Sequence, residues 1–269
     1  MPPNHAREAL PRGRGALRAF PEGLPSPMLT PMSDPQAVQS MFARIAGSYD
    51  LLNRVLSCGI DRRWRKRVVA RAGQVQGCAV LDVCTGTGDL AVAFARAGAR
   101  VVGVDFTLPM LLRAPRKVRS DEHRAQFAQG DALCIPARAD SVDLSCVAFG
   151  IRNVADRHRG LREMKRVVRP GGQVLVLEFS TPPRGLFSWA YRLYFTRILP
   201  TVGGWISRDG DAYAYLPRTV MAWPLPEAFQ AEMEREGLVD CGFERLTGGI
   251  ACLHFGTVSC ESDGEAGHE

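Results

Sequence analysis

The sequence predicts an α/β fold, a doubly wound and mostly parallel seven-stranded sheet with helices on both faces. Short apolar runs alternate with longer segments of helical periodicity from residue 79 onward. An acidic residue also ends or closely follows three successive strand-like runs. This alternation is typical of a sheet wrapped by helices, in which ligands bind outside the carboxyl ends of the strands.

The expected elements follow from this alternation. Strands are expected at 79–83, 100–104, 125–128, 142–148, 173–179, 241–247 and 250–258. Helices are expected at 88–97, 107–118, 156–168 and 226–236. Apolar residues at intervals of three and four predict an N-terminal helical cap over 36–72. An aromatic-rich stretch predicts an inserted helical lid over 181–226, which either only packs on the sheet or also lines an apolar channel.

The composition is that of one globular domain, expected over 36–259, with 46% hydrophobic and 23% charged residues. Residues 1–35 are rich in Pro, Gly and Arg without apolar periodicity, so we expect a disordered N-terminal extension. We also expect a disordered acidic tail over 260–269. The eight cysteines form no Cys-x-x-Cys pair, which favours free thiols in a reducing cytoplasm.

The charge distribution argues against a nucleic-acid partner. The formal net charge is +6, but arginines are spread along the chain with acids between them rather than in a stripe. A weak attraction to an anionic membrane surface is compatible with this charge. No apolar run is long enough to span a bilayer. We therefore expect a cytoplasmic protein that can attach peripherally to the inner face of the cytoplasmic membrane.

The first strand and the turn after it carry the clearest ligand signal, which reads VLDVCTGTGD from residue 80. Gly86 and Gly88, with Thr87 between them, allow the backbone to bend tightly and approach a ligand. Asp105 ends the second strand, where its carboxylate can accept hydrogen bonds from ribose hydroxyls. The segment also fits the loose dinucleotide fingerprint, so an NAD enzyme is one alternative.

Two further acids favour S-adenosylmethionine (SAM) over NAD. Asp82 precedes the glycines, where it would repel a pyrophosphate and attract the ammonium group of SAM. Asp131, followed by Ala132, comes after the third strand and can accept from an adenine amino group. Helix capping could explain any one of the three acids but explains the set poorly. We therefore expect SAM as the cofactor.

Several motifs resemble the ubiquinone and menaquinone biosynthesis C-methyltransferase family, from about residue 41 to residue 259. The first reads YDLLNRVLS from residue 49 and continues to Trp64. The second reads RVVRPGG from residue 166 and continues through LEFS at 177–180. Shorter similar runs are FGIRNV from residue 149, YAYLP from residue 213, and LTGGI from residue 246 with His254. The resemblance implies a Rossmann-like class I methyltransferase fold.

The chain departs from the family pattern at four positions. Leu52 stands where the family usually has Met, and Asp61 where it has His. Ala148 and Thr219 each replace a serine. The Leu52 change conserves volume. The other departures bear on the polar contacts of the cap and on one cofactor contact, which a backbone group at Ala148 could still make.

The resemblance implies methylation of a ring carbon of a polyprenylated hydroquinone such as demethylmenaquinol, with no metal. The protein would align the reactants and help to remove the phenolic proton. Candidate catalytic residues are Arg152, Asn153, Tyr49 and His254. Arg152 could stabilise a phenolate or hold a water that takes the proton. His254 could equally be a core imidazole.

Three alternatives stay open at this point. The protein could methylate another small apolar acceptor, or it could use NAD. It could also be a non-catalytic SAM-binding scaffold of a quinone-biosynthesis complex. The expected partner is an isoprenoid hydroquinone, and the sequence leaves a homodimer open.

Overall fold

The computed structural model describes residues 34–57, 59–118, 125–183, 185 and 210–260, without the side chains at 52, 55, 56, 210–214 and 216. Residues 1–33 of the predicted extension, 184 and 186–209 of the predicted lid, and 261–269 of the predicted tail lie outside the described residues. Whether the predicted lid lines a channel is therefore a question about residues that the structure does not describe.

One seven-stranded sheet forms the centre of the described part, in the order β3-β2-β1-β4-β5-β7-β6. The strands are β1 (Ala79–Val83), β2 (Arg100–Asp105), β3 (Ala125–Gln129), β4 (Val142–Ala148), β5 (Val168–Phe179), β6 (Leu238–Leu246) and β7 (Ala251–Val258). The first five strands pair in parallel, whereas β7 runs antiparallel to both β5 and β6. The predicted fold class is confirmed.

The chain reverses its direction across the sheet between β1 and β4. From β1 it continues to β2 and β3 on one side, then crosses to β4 and β5 on the other. The connections on the two sides diverge at this switch point and leave a crevice outside the carboxyl ends of the two strands. Asp82 lies on β1 and Asp105 ends β2, so both acids belong to this edge.

Helices cover both faces of the sheet and begin with the cap. They are α1 (Pro35–Ile45), α2 (Tyr49–Leu56), α3 (Asp61–Ala72), α4 (Asp89–Arg96), α5 (Leu108–Leu111), α6 (Arg157–Val167), α7 (Gly210–Met221) and α8 (Pro226–Arg235). The cap predicted over 36–72 is thus three helices. None of the helices in the described ranges is long and apolar enough to cross a bilayer.

The core has two halves, one on each face of the sheet. Side chains alternate along β5: Leu175 and Leu177 belong to the cluster that includes Trp64 and Phe94. Val174 and Val176 face the opposite cluster, which α6 and α8 help to form. All four β5 side chains are fully buried, because helices cover both faces.

The observed boundaries differ from the predicted ones by more than one residue at three elements. The predicted helix 107–118 is only α5 followed by a 3₁₀ turn at Ala114–Lys117, because Pro115 lacks the N–H that a continuous helix needs. The strand predicted at 173–179 begins at Val168, which pairs with Val142 before a register shift. The strand predicted at 241–247 begins at Leu238, ahead of an irregularity between residues 239 and 242.

Candidate active site

One pocket lies at the carboxyl edge of the sheet, between the glycine turn and the cap. Seven of the predicted cofactor-binding residues line it: Asp82, Gly86, Thr87, Asp105, Asp131, Ala132 and Ala148. Of the predicted catalytic residues, Tyr49 and Asn153 line it as well. Gly88, Arg152 and His254 are not among its lining residues. The fold thus brings together most of the predicted site from segments far apart in the sequence.

The glycine turn after β1 depends on backbone conformations that favour glycine. Gly86 and Gly88 have φ of 57° and 81°. A Cβ at Gly88 would lie 2.9 Å from the side chains of Ala114 and Phe127. A Cβ at Gly86 would meet only Met110, at 3.7 Å. Gly88 therefore allows close packing beneath the turn, whereas Gly86 faces the pocket.

The Asp82 carboxylate holds the glycine turn through two hydrogen bonds. Its Oδ2 accepts hydrogen bonds from Thr85 Oγ1 at 2.6 Å and from the backbone N–H of Ala91 at 3.0 Å. Burial raises the pKa of Asp82 to about 7, although these hydrogen bonds and the charge of Arg65 oppose the shift. Because Oδ2 already has two donors, we expect Asp82 to act on a ligand through its charge and through the turn that it supports.

Asp105 and Asp131 differ in burial and in the hydrogen bonds that hold them. The Asp105 carboxylate is buried and accepts from the N–H of Gly86 at 2.8 Å and from that of Thr107 at 2.7 Å, one at each oxygen. Each oxygen keeps a lone pair for a ligand hydroxyl. Asp131 is exposed at the pocket rim, and its Oδ1 accepts from Leu133 N–H at 2.9 Å.

A polar cluster that the sequence did not indicate ties the cap to the turn. Lys117 Nζ lies 2.8 Å from Asp50 Oδ2 on α2 and 2.6 Å from Asp89 Oδ1 on α4. It also donates to Thr87 Oγ1 at 2.7 Å, and that hydroxyl donates to Asp50 Oδ1 at 2.6 Å. We call these four residues the cap clasp. One sequence signal was available, because Lys117 is one of only three lysines in the chain.

Arg152 lies behind the pocket wall rather than in it. Its Nη1 donates to Glu178 Oε2 at 2.6 Å and to the carbonyl oxygen of Phe149 at 2.9 Å. Its Nε has no hydrogen-bond partner among the described residues. Glu178 is completely buried, and this burial raises its pKa while the charge of Arg152 lowers it. Arg152 does not line the pocket, and its role in stabilising a phenolate stays a prediction.

Asn153 and Tyr49 supply the uncharged polar groups of the pocket. Asn153 Oδ1 accepts from the hydroxyl of Tyr215 at 3.1 Å, which directs the amide nitrogen elsewhere. Tyr215 on α7 belongs to the YAYLP motif, for which the sequence predicted no role in the site. Burial raises the pKa of Tyr49, and the positive charges of Arg152 and Arg65 only partly oppose this. Tyr49 therefore stays protonated at neutral pH and can donate a hydrogen bond.

His254 lies in the core, away from the pocket lining. Its ring is fully buried, with ring centroids 4.8 Å from Phe229 and 5.7 Å from Phe243. Its Nε2 lies 3.2 Å from the carbonyl oxygen of Pro226. Burial lowers the pKa of His254 to about 4, so the imidazole is neutral. These surroundings favour the interpretation of His254 as a core imidazole over a catalytic role.

The hydrogen-bond acceptors of the pocket fit SAM better than a dinucleotide. Carboxylates at the ends of β1 and β2 and at the rim after β3 can accept from ribose, ammonium and amino groups. Asp82 and Asp89 flank the glycine turn, where a dinucleotide would place its pyrophosphate. Like charges at that position are unfavourable. The described residues contain no cluster of side chains suited to hold a metal ion.

Solved structures resemble this fold at low sequence identity. A SAM-dependent methyltransferase from Aquifex aeolicus matches with a TM-score of 0.53 and 16% identity, over 84% of this chain and 99% of that one. The [4+2]-cyclase SpnF matches with a TM-score of 0.58 and 17% identity, over 85% and 98%. At these identities the similarity concerns the fold alone.

Proteins related in sequence share a much higher identity with this chain than these structures do. A demethylmenaquinone methyltransferase from Thermus thermophilus is 47% identical over 218 residues, covering 80% of this chain and 99% of that protein. One from Deinococcus radiodurans is 46% identical over 223 residues, covering 82% and 92%. A ubiquinone/menaquinone biosynthesis C-methyltransferase from Geobacter sp. is 44% identical over 227 residues, covering 82% and 96%. The model of the ubiE/COQ5 methyltransferase family matches residues 30–258, and the chain therefore belongs to that family.

Proposed function

We propose that this protein transfers a methyl group from SAM to a ring carbon of a polyprenylated hydroquinone, converting demethylmenaquinol to menaquinol. One observation carries the proposal: the pocket joins an acidic floor at the strand ends to an aromatic wall. Asp82 and Asp105 belong to the floor, whereas Phe42, Tyr49 and Phe149 belong to the wall. Relatives that are named demethylmenaquinone methyltransferases at 46% and 47% identity support the choice of quinol.

The chemistry divides between the cofactor and the chain. SAM supplies a methyl group on a sulfonium, which is already a good leaving group. The chain has to exclude water, hold the ring and favour the phenolate that makes the ring carbon nucleophilic. Tyr49 keeps its proton and can donate a hydrogen bond to a phenolate oxygen. Asn153, with its Oδ1 engaged by Tyr215, can donate through its amide nitrogen.

Arg152 contributes through its charge in this proposal. Its guanidinium is buried beside the pocket wall and lies 5.3 Å from the ring centroid of Phe179. Glu178 offsets part of this charge, but a buried charge acts over several ångströms because little water screens it, and Arg152 also opposes the rise in the pKa of Tyr49. The charge favours a developing phenolate, and the phenolic proton leaves to solvent. After methyl transfer the ring carbon loses its own hydrogen as a proton, which restores the aromatic ring and reprotonates the phenolic oxygen. His254 has no step in this mechanism.

We also propose that the protein docks on an anionic bilayer surface, where its lipid substrate resides. Leu51, Leu108 and Leu112 are 55%, 43% and 65% exposed, on or directly after helices that also line the pocket. Arg54 and Arg116 are exposed close to them in the chain. Exposed apolar side chains beside arginines fit a headgroup surface. This docking places the protein at the inner face of the cytoplasmic membrane.

The test is turnover with a defined lipid. Purified protein is incubated with methyl-labelled SAM and demethylmenaquinol in detergent, under a chemical reductant, and the labelled lipid is identified. We expect methylated quinol from the reduced substrate and none from the oxidised quinone, whose electron-poor ring is not a nucleophile. Efficient methylation of the oxidised form would contradict the mechanism. SAM binding without turnover would favour a scaffold.

A further inference from the structure

Arg65 has a place in the pocket that no sequence motif indicated. It lies on the second turn of α3, and its side chain is 9% exposed. It is the only basic residue that the described part of the chain contributes to the pocket lining. The other charged lining residues are all acids: Asp82, Asp89, Asp105 and Asp131.

Neighbouring residues hold the guanidinium in one orientation. Asp61, one helical turn earlier, forms an ion pair with Arg65 Nη1. Ser57 Oγ donates to Asp61 Oδ1 at 2.8 Å and fixes the acid in turn. The guanidinium lies 5.7 Å from the ring centroid of Phe149. Its Nη2 is 3.7 Å from Asp89 Oδ2, which is too long for a hydrogen bond.

The charges of the pocket create a problem for one part of the cofactor. SAM ends in an amino acid, whose ammonium group suits carboxylates but whose own carboxylate does not. Four acids line the pocket, and a further anion there is unfavourable unless a cation faces it. The charge of Arg65 lowers the pKa of both Asp82 and Tyr49, so it acts across the glycine turn and the cap.

We propose that Arg65 binds the carboxylate of the amino-acid end of SAM and that Asp61 and Ser57 set its orientation. The planar guanidinium matches a carboxylate in a way that a lysine ammonium does not. The inference rests on the proposed function, because it takes SAM as the ligand. It also explains what Asp61 does where the family usually has His, because its ion pair directs Arg65 while leaving Nη2 available.

The test compares two ligands that differ only in the amino-acid end. S-Adenosylhomocysteine carries the carboxylate, whereas 5′-methylthioadenosine has the same nucleoside and thioether without it. Calorimetry on Arg65→Gln should show an affinity for S-adenosylhomocysteine lower by about tenfold or more. The affinity for 5′-methylthioadenosine should stay within about twofold. Arg63→Gln, exposed on the same helix, is the matched control and should bind both ligands like the parent protein.

The outcomes separate this inference from the proposed function. An equal loss for both ligands in Arg65→Gln would mean that Arg65 only supports the fold and would overturn the inference. No loss for either ligand would overturn it too. Should Arg65→Gln fail to fold, the parent protein still decides: decarboxylated SAM must bind about tenfold more weakly than SAM, and equal binding overturns the inference. A parent protein that binds none of these ligands would instead refute the proposed function.

Discussion

Side chains of the same chemical type have different roles in the pocket. Asp82 and Asp105 are both buried carboxylates at strand ends, yet Asp82 holds the turn through Thr85 and Ala91. Each carboxylate oxygen of Asp105 accepts one hydrogen bond from a backbone N–H group. Burial raises the pKa of both carboxyl groups, and it raises that of Asp82 to about 7. These differences lead to predictions about single residues.

Asp82 should make both stability and ligand affinity depend on pH. Its folded pKa of about 7 lies above the ordinary value of 3.8, so the native state keeps a proton that the unfolded state loses. Stability should therefore fall as the pH rises from about 4 to about 7. Chemical unfolding at a series of pH values should show this decline, and Asp82→Asn should flatten it.

The same group should tune cofactor binding. An ammonium group favours the ionised carboxylate, so affinity for S-adenosylhomocysteine should rise as the pH increases from about 6 to about 8. Calorimetry across that range measures the rise. An identical pH dependence in Asp82→Asn would show that another group is responsible.

Arg152 needs a paired variant, because removing it alone leaves Glu178 buried without a partner. Arg152→Ala should lose about 3–5 kcal/mol of stability for that reason. The double variant Arg152→Met with Glu178→Gln should fold better. It should bind S-adenosylhomocysteine normally but reduce kcat by about a hundredfold or more if the charge stabilises the phenolate. A kcat close to that of the parent protein would assign Arg152 a purely structural role.

His254→Leu should lower the stability of the protein but leave its kcat nearly unchanged. The change removes the donor to the Pro226 carbonyl, and the unsatisfied oxygen should cost about 1–3 kcal/mol of stability. Because the ring lies outside the pocket lining, kcat at a temperature well below unfolding should stay near that of the parent protein. A large fall in kcat with an unchanged melting temperature would restore His254 as a catalytic candidate.

At the scale of the elements, α2 is held by contacts with distant parts of the chain. The cap clasp connects it through Asp50 to Thr87 and to Lys117, which come from two other segments. The Lys117 side chain is 23% exposed, so water screens these ion pairs less than it would a surface pair. Tyr49 begins the same helix and lines the pocket, which links the clasp to the site.

Lys117→Met should loosen this helix without unfolding the protein. Hydrogen exchange should show faster exchange of the α2 amides, while the β5 amides stay protected. S-Adenosylhomocysteine should dissociate several-fold faster, because the wall formed by α2 opens more often. Lys66→Met, exposed on α3, is the matched control. Unchanged α2 exchange in Lys117→Met would mean that the clasp contributes nothing to holding the cap.

At the scale of the whole molecule, exposed leucines lie on or directly after α2 and α5, two helices that also line the pocket. Substituting Leu108 and Leu112 with serine should weaken flotation with phosphatidylglycerol-containing vesicles and reduce turnover of a long-tailed quinol embedded in them. Turnover of a short-tailed quinol in solution should not change. Leu225→Ser with Val239→Ser removes comparable exposed apolar surface elsewhere and serves as the control. Equal effects of the two double variants would argue against a specific docking face.

The sequence determined what depends on neighbouring residues. Strand positions, the glycine turn, and the acids that end or follow β1, β2 and β3 could all be predicted, because strands and tight turns follow from patterns within a few residues. Parallel strands then bring their carboxyl ends to one edge, so the location of the cofactor site followed from topology rules. The family resemblance added the quinol, whereas the cap followed from apolar residues at intervals of three and four.

Only the tertiary structure decided which side chains meet. Arg152 and Glu178 are 26 positions apart, and Lys117 reaches Thr87 over 30 positions, so no local pattern relates either pair. His254 resembles a catalytic histidine in sequence, and only the burial of its ring between Phe229 and Phe243 shows otherwise. In the sequence, Arg65 is one of several arginines in α3. Only the packing of α3 near the glycine turn brings it to the pocket. Burial and charge pairing arise from the packing of distant segments, and they set the pKa values and contacts on which the chemistry depends.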